Sequence, residues 1–160
     1  MIMNNTAKKA VDLLLKNGRT VACAESCTGG LIAKLITDIP GSSEAFHLGA
    51  VTYSNDIKNK VLGVEKKTLD TYGAVSEQTA VEMARDVRKL AGADYGVSST
   101  GISGPGGDGI CSEAGLSFIA VSTAEKTVCK KLETHSDDRE FNRNHTAESA
   151  LSLLIDIIEK

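Results

Sequence analysis

The sequence predicts an α/β domain, a three-layer α/β/α sandwich with a mixed, mainly parallel sheet of about five strands. Short apolar runs that suit buried strands alternate along the chain with segments of helical spacing. The last two predicted strands are separated only by residues 123–126, which are too few for a crossover, so this pair must be antiparallel. A chain of 160 residues can bury a real core, and we take residues 1–160 as one domain.

Each element follows from apolar spacing and from residues that begin or end helices. Helices are predicted over 6–17, 30–36, 55–62, 76–91 and from 138 to about 158, and strands over 20–24, 46–53, 95–100, 116–122 and 127–132. Ser54 or Asn55, Ser76 and Asp138 suit helix starts, and Gly92 suits a helix end. Residues 40–43 form a loop, and a glycine-rich loop over 101–109 follows the third strand.

Composition excludes several classes of function. A net charge of −3 and 4% aromatic residues leave no basic surface for nucleic acid. No segment suits a signal peptide or a membrane span, so we expect a cytoplasmic protein with no membrane partner. The four cysteines lack paired CxxC spacing, which favours reduced structural thiols over disulfides or a metal site; they are Cys23, Cys27, Cys111 and Cys129.

The segment AESCTGG at 24–30 places a serine where a buried strand turns into a helix. Ser26 on such a turn could act as a nucleophile. Gly29 and Gly30 would let a ligand approach the backbone, and the N–H groups of 27–30 are candidate donors to an oxyanion or phosphate. The alternative is a plain helix N-cap at Ser26 or Thr28.

Two more segments directly follow predicted strands. They are Tyr53 to Lys58 and the glycine-rich TGISGPGG at 100–107. If the first three strands are parallel, their carboxyl ends bring these segments and Ser26 to one sheet edge, where α/β proteins bind ligands. The glycine pattern matches neither a Walker nor a dinucleotide motif. Taken singly, the loop could be a connection and Lys58 a solvated lysine.

In order and spacing, these blocks resemble the C-terminal domain of the CinA competence and damage-inducible proteins, a family that includes the stand-alone nicotinamide mononucleotide amidohydrolase PncC. The matching blocks are AESCTGG at 24–30, PGSS at 40–43, VTYSNxxK at 51–58, GAVSE at 73–77 and TGIxGPGG at 100–107. The resemblance implies an enzyme that hydrolyses the carboxamide of nicotinamide mononucleotide to nicotinate mononucleotide and ammonia. It implies no metal or organic cofactor, and it leaves a homo-oligomer open.

The same resemblance assigns roles by position. It makes Ser26 the nucleophile, with Lys58 and Tyr53 as the site lysine and tyrosine. Further residues are expected to bind the substrate: Thr28, Gly29, Gly30, Ser43, Thr100, Gly101, Arg139 and Arg143.

The chemistry requires a base for the serine proton, and the histidines His47, His135 and His145 lie outside the motif blocks. Lys58 is the better candidate, provided that burial lowers its pKa by roughly 2 to 3 units from about 10.4. Tyr53 would relay a proton or orient Lys58. Arg139 and Arg143, four residues apart on one helix, could hold the phosphate, although surface arginines without a ligand are an alternative.

One segment departs from the family pattern. Glu113-Ala114-Gly115-Leu116 stands where the family has proline-valine-glycine-threonine, and the loop before it carries Cys111 and Ser112. A changed specificity or activity is therefore one expectation. The alternatives are a non-catalytic nucleotide-binding or regulatory module and another small-amide hydrolase. The presence of Ser26, Tyr53 and Lys58 together favours an enzyme.

Overall fold

The computed structural model describes residues 4–107 and 113–160. The helices are α1 (Asn5–Lys16), α2 (Leu31–Thr37), α3 (Asn55–Ile57), α4 (Lys66–Tyr72), α5 (Glu77–Ala91) and α6 (Arg139–Ile158). The strands are β1 (Val21–Glu25), β2 (Phe46–Val51), β3 (Tyr95–Gly101), β4 (Leu116–Ser122) and β5 (Thr127–Glu133). The expectations for Cys111, Ser112 and the end of the glycine-rich loop lie outside the described residues.

The five strands form one mixed sheet in the order β2-β1-β3-β4-β5. The first three strands are parallel, whereas β4 runs antiparallel to β3 and β5 antiparallel to β4. Glu25, the last residue of β1, pairs with Val51 on one side and with Ser99 on the other. The carboxyl ends of the parallel strands therefore meet at one edge, as the sequence predicts.

Helices cover both faces of the sheet, which confirms the three-layer sandwich. Alternate residues of β1 point to opposite faces. Val21 and Cys23 belong to a core shared with α1, α2 and α6, while Ala22 and Ala24 pack with residues of α5 and its neighbours. Helix α5 lies very close to β3, and glycine at position 96 permits this approach. A Cβ added at Gly96 would sit 2.0 Å from the carbonyl oxygen of Ala84.

Two local elements differ from the sequence prediction. Helix α4 was not predicted, because Leu69 is its only large aliphatic residue and gives no helical periodicity. The helix predicted over 55–62 is divided into the short α3 and a π-helical turn, Lys58–Leu62. This wider turn begins at Lys58, and such turns are frequent at functional sites.

The predicted helix starts at Ser54, Ser76 and Asp138 are confirmed. Each side chain accepts a hydrogen bond from a backbone N–H three residues along the chain. Within residues 4–107 and 113–160, no helix combines the length and apolar character that a membrane span needs.

Candidate active site

Ser26 lies immediately after β1, at the edge where the parallel strands end. Its backbone N–H donates to the carbonyl oxygen of Ser99 at 2.9 Å, which fixes the residue against β3. Its side chain is not a helix cap. The Oγ atom instead lies 3.0 Å from Nζ of Lys58, and Ser26 keeps 8% of its surface exposed.

Lys58 is fully buried, with 0% exposure, although lysine is among the residues least often found inside proteins. Besides Ser26, its Nζ atom contacts the backbone carbonyl oxygens of Thr52 at 2.9 Å and Tyr53 at 3.1 Å. No carboxylate forms an ion pair with it in the described part of the chain. The ammonium form is therefore desolvated without a counter-ion.

Burial changes the acidity of two neighbouring groups in opposite senses. Desolvation lowers the pKa of Lys58 to about 8, in the direction and for the reason that the sequence predicts. Desolvation also raises the pKa of the Cys27 thiol to about 12. Near neutral pH, Lys58 has an appreciable neutral fraction, while Cys27 stays protonated and is unsuited to act as the nucleophile.

Glu25 is the functional residue that the sequence analysis missed. Its side chain is 1% exposed, and its two carboxylate oxygens accept from the backbone N–H groups of Gly30 (3.1 Å), Ile32 (3.0 Å) and Ala33 (2.8 Å). Thr28 Oγ1 donates to the same carboxylate at 2.5 Å. The carboxylate thereby satisfies the start of α2, whose N-cap position is Gly30 and not Ser26 or Thr28.

In the turn from Cys27 to Gly30, two amides have no acceptor in the described part of the chain. The N–H of Gly29 donates to the carbonyl of Ser26 and that of Gly30 to Glu25. The N–H groups of Cys27 and Thr28 have no acceptor among residues 4–107 and 113–160. Gly29 and Gly30 have φ values of 61° and 100°, a region that favours glycine. The candidate oxyanion donors are thus narrowed to the N–H groups of Cys27, which is 6% exposed, and Thr28, which is fully buried.

The side chain of Tyr53 faces a cavity and not Lys58. It is 60% exposed, and its hydroxyl oxygen lies 3.4 Å from Nη2 of Arg139. Both residues line a cavity of about 260 Å³ together with Cys27 and the glycine-rich loop. Arg139 also donates to the carbonyl of Gly104 at 2.8 Å, so it holds one wall of this cavity. Tyr53 orients Lys58 through its main-chain oxygen.

Arg143 lies one turn further along α6 and reaches the serine turn. Its Nη2 atom donates to the carbonyl of Thr28 at 2.8 Å. Arg139 and Arg143 line a second cavity of about 420 Å³ beside the first. Neither guanidinium has a carboxylate partner in the portion of the chain that the structure describes. No ion pair neutralises their positive charge there, and Glu140 lines the same cavity.

Two predicted binding residues have other positions or roles, and a third lines the smaller cavity. Ser43 lies in a 3₁₀ turn before β2, at the opposite edge of the sheet from Ser26, so this chain does not bring it to the serine–lysine pair. Thr100 is buried and donates to the carbonyl of Ala74 at 2.7 Å, so its hydroxyl holds the segment before α5. Gly101 lines the smaller cavity, and a Cβ there would lie 2.5 Å from Cβ of Ser117.

The described residues contain no cluster of three or more side chains suited to hold a metal ion. Cys23, Cys27 and Cys129 are free thiols, in agreement with the prediction of reduced cysteines.

A mixed five-stranded α/β/α sandwich, with a buried serine–lysine pair where its parallel strands end, defines the class of domain. The chain belongs to the CinA C-terminal domain family, whose model matches residues 3–158. A relative from Caldanaerobacter subterraneus subsp. tengcongensis, described by its name as competence-damage inducible, is 58% identical over 122 residues. That match covers 76% of this chain and 30% of the relative, and the chain spans about a third of the length of the curated relatives it matches.

Solved structures have the same fold. The competence/damage inducible protein CihA from Agrobacterium tumefaciens is 35% identical, with a TM-score of 0.91 over 100% of this chain and 99% of that one. A CinA superfamily protein from Klebsiella pneumoniae is 26% identical, with a TM-score of 0.94 over 99% of both chains.

The buried lysine predicts a pH-dependent stability. Between the folded pKa of about 8 and an unfolded value near 10.4, the unfolded chain binds more protons, so the free energy of unfolding rises with pH. Relative to Lys58→Met, the unchanged protein should gain about 2 kcal/mol between pH 7 and pH 9.5. Urea unfolding at both pH values measures this gain.

Lys60→Met is the matched control, because Lys60 lies in the same turn and is exposed. It should show no comparable divergence from the unchanged protein. A constant difference between Lys58→Met and the unchanged protein across this pH range would contradict the lowered pKa of Lys58.

Proposed function

We propose that this domain hydrolyses the carboxamide of nicotinamide mononucleotide to nicotinate mononucleotide and ammonia. The observation that carries the proposal is the 3.0 Å contact between Ser26 Oγ and the buried Nζ of Lys58. A serine next to a lysine of lowered pKa is the arrangement that nucleophilic amide hydrolysis needs. A module that only binds nucleotides has no need of it.

The neutral form of Lys58 suits a general base. A neutral amine has two N–H donors and one lone pair, and the carbonyls of Thr52 and Tyr53 take the two donors. The lone pair then faces the Ser26 hydroxyl, which becomes the donor. Transfer of that proton to Nζ frees Oγ to attack the carboxamide carbon.

The remaining steps use groups at the same edge. The oxyanion of the tetrahedral intermediate would accept from the N–H groups of Cys27 and Thr28. The Lys58 ammonium would then protonate the departing nitrogen, which leaves as ammonia while the acyl group stays on Ser26. A water molecule that gives its proton to Lys58 would attack this ester and release the carboxylate product, and the returned proton restores Ser26.

The two neighbouring cavities suit the two ends of the substrate. The cavity lined by Tyr53, the glycine-rich loop and Cys27, the residue that follows Ser26, would hold the flat nicotinamide ring. The cavity lined by Arg139 and Arg143 would hold the phosphate, because two guanidinium groups without a carboxylate partner among the described residues supply charge-assisted donors in an acidic protein.

The first test incubates the purified protein with nicotinamide mononucleotide and measures ammonia release. Ser26→Ala should fold normally and lose at least roughly 10³-fold in turnover, since it removes the nucleophile. An acyl adduct at Ser26, trapped by acid and located by mass spectrometry, would identify the intermediate.

Activity of Ser26→Ala within a few fold of the unchanged protein would rule out Ser26 as the nucleophile. Binding of the nucleotide without ammonia release would favour the non-catalytic module instead. Release from other small amides alone would favour a different amidase.

The second test separates the charge of Lys58 from its basicity. Lys58→Arg should be nearly as inactive as Lys58→Ala, because arginine keeps the charge but does not deprotonate at working pH. In the unchanged protein, kcat/KM should rise with pH up to an apparent pKa near 8, where the lysine becomes neutral. Substantial turnover by Lys58→Arg would assign the proton transfer to another group.

The third test concerns the phosphate. Arg139→Ala should raise KM for nicotinamide mononucleotide roughly 10- to 150-fold, the effect of one charge-assisted contact of about 1.5 to 3 kcal/mol, with a smaller change in kcat. Nicotinamide riboside lacks the phosphate and should be much less affected. Equal losses for the two substrates, or no loss, would remove the phosphate role from Arg139.

A further inference from the structure

A cavity of about 440 Å³ lies at the edge of the sheet opposite Ser26. It is bounded by the start of β3, the turn between β4 and β5, and the carboxyl-terminal ends of α5 and α6. It shares no lining residue with the two cavities beside the serine–lysine pair. Nothing in the proposed amide hydrolysis uses it.

Positive charge is in excess among the side chains of this cavity. Arg19 is balanced, because its Nη1 atom lies 2.8 Å from Oδ1 of Asp94, and the Glu125 carboxylate also acts on it. Arg88 and Lys126 line the same cavity, and neither forms an ion pair among residues 4–107 and 113–160. Lys160 also lines the cavity, so three cations lie there without an ion pair in the described part of the chain.

The guanidinium of Arg88 carries an unmet hydrogen bond. Its Nε atom is buried and has no acceptor among the described residues. Helix α5 fixes the base of this side chain against β3, because a Cβ at Gly96 would lie 2.7 Å from Cβ of Arg88. A buried N–H without an acceptor destabilises a fold unless a ligand or water supplies one. The Arg88 side chain thus lines the cavity with donor capacity that the described residues do not use.

The remaining wall is partly polar, with Asp94, Thr123 and Glu125, and partly apolar. Tyr95, Val128 and Ile157 line the cavity beside the cations. The volume lies within the roughly 300 to 1,000 Å³ typical of small-molecule sites. We infer that this cavity is a second ligand site, for a small phosphate ester whose phosphate contacts Arg88 and Lys126 and whose flat apolar body packs on Tyr95.

Phenyl phosphate is a suitable probe, with phenol and inorganic phosphate as its two halves. In a ¹H–¹⁵N NMR titration, phenyl phosphate should shift the amides of Arg88, Gly92, Tyr95 and Lys126. The dissociation constant of this group of signals should be lower for phenyl phosphate than for either half. Signals from residues 26–30 report the serine–lysine edge separately, so the two sites are resolved in one experiment.

Arg88→Gln should weaken binding at this site about tenfold or more, the effect expected for loss of a charge-assisted contact. Lys89→Gln is the matched control, because Lys89 is exposed on the same helix and does not line the cavity. Arg139→Ala should leave unchanged the shifts that phenyl phosphate causes in the amides lining this cavity. Ammonia release from nicotinamide mononucleotide by Arg88→Gln tests the proposed function independently of this site.

The inference is overturned if phenyl phosphate shifts none of the amide signals of Arg88, Gly92, Tyr95 and Lys126. It is also overturned if phenol gives the same shifts with the same affinity, or if Arg88→Gln binds as tightly as Lys89→Gln. A folded Arg88→Gln protein, judged by an unchanged amide spectrum elsewhere, is the condition for that comparison, and Lys126→Gln provides a second variant that should weaken binding in the same way.

Discussion

The buried carboxylate of Glu25 is the constraint on which the site's geometry depends. A charge removed from water must be met by hydrogen-bond donors, and here four donors come from a short stretch of chain that ends at Ala33. Because those donors must converge on two oxygens, the turn after β1 has little freedom. It places Ser26 beneath Lys58 and leaves the amides of Cys27 and Thr28 turned away from the carboxylate.

The two buried ionisable side chains at this edge, Glu25 and Lys58, have different hydrogen-bond partners. The carboxylate of Glu25 lies at the positive end of α2 and is fully hydrogen-bonded. The amine of Lys58 meets only carbonyl and hydroxyl oxygens, without a counter-ion in the described chain. The first arrangement fixes the turn after β1. The second disfavours the charged form of Lys58, so the fold gives up stability near neutral pH.

Much of this arrangement could be predicted from the sequence, because strand ends in a parallel sheet share an edge. That rule correctly brings Ser26 and the segment from Tyr53 to Lys58 together. It does not reveal the role of Glu25, because the sequence does not show which N–H groups will hydrogen-bond to this carboxylate in the fold. The motif that contains Ser43 gives its position along the chain. It does not show that Ser43 lies where β2 begins, at the edge of the sheet opposite Ser26. Helix α4 lacks the apolar spacing on which prediction depends.

Two of the partners of Lys58 Nζ are main-chain oxygens, so the position of this amine does not depend on the side chains of residues 52 and 53. Every residue type carries a backbone carbonyl, so an exchange at position 53 retains the acceptor that holds Nζ of Lys58. The side chain of Tyr53, by contrast, forms part of a cavity wall. A substitution at position 53 can therefore change the shape and polarity of this cavity while the hydrogen bonds that hold Nζ of Lys58 stay in place.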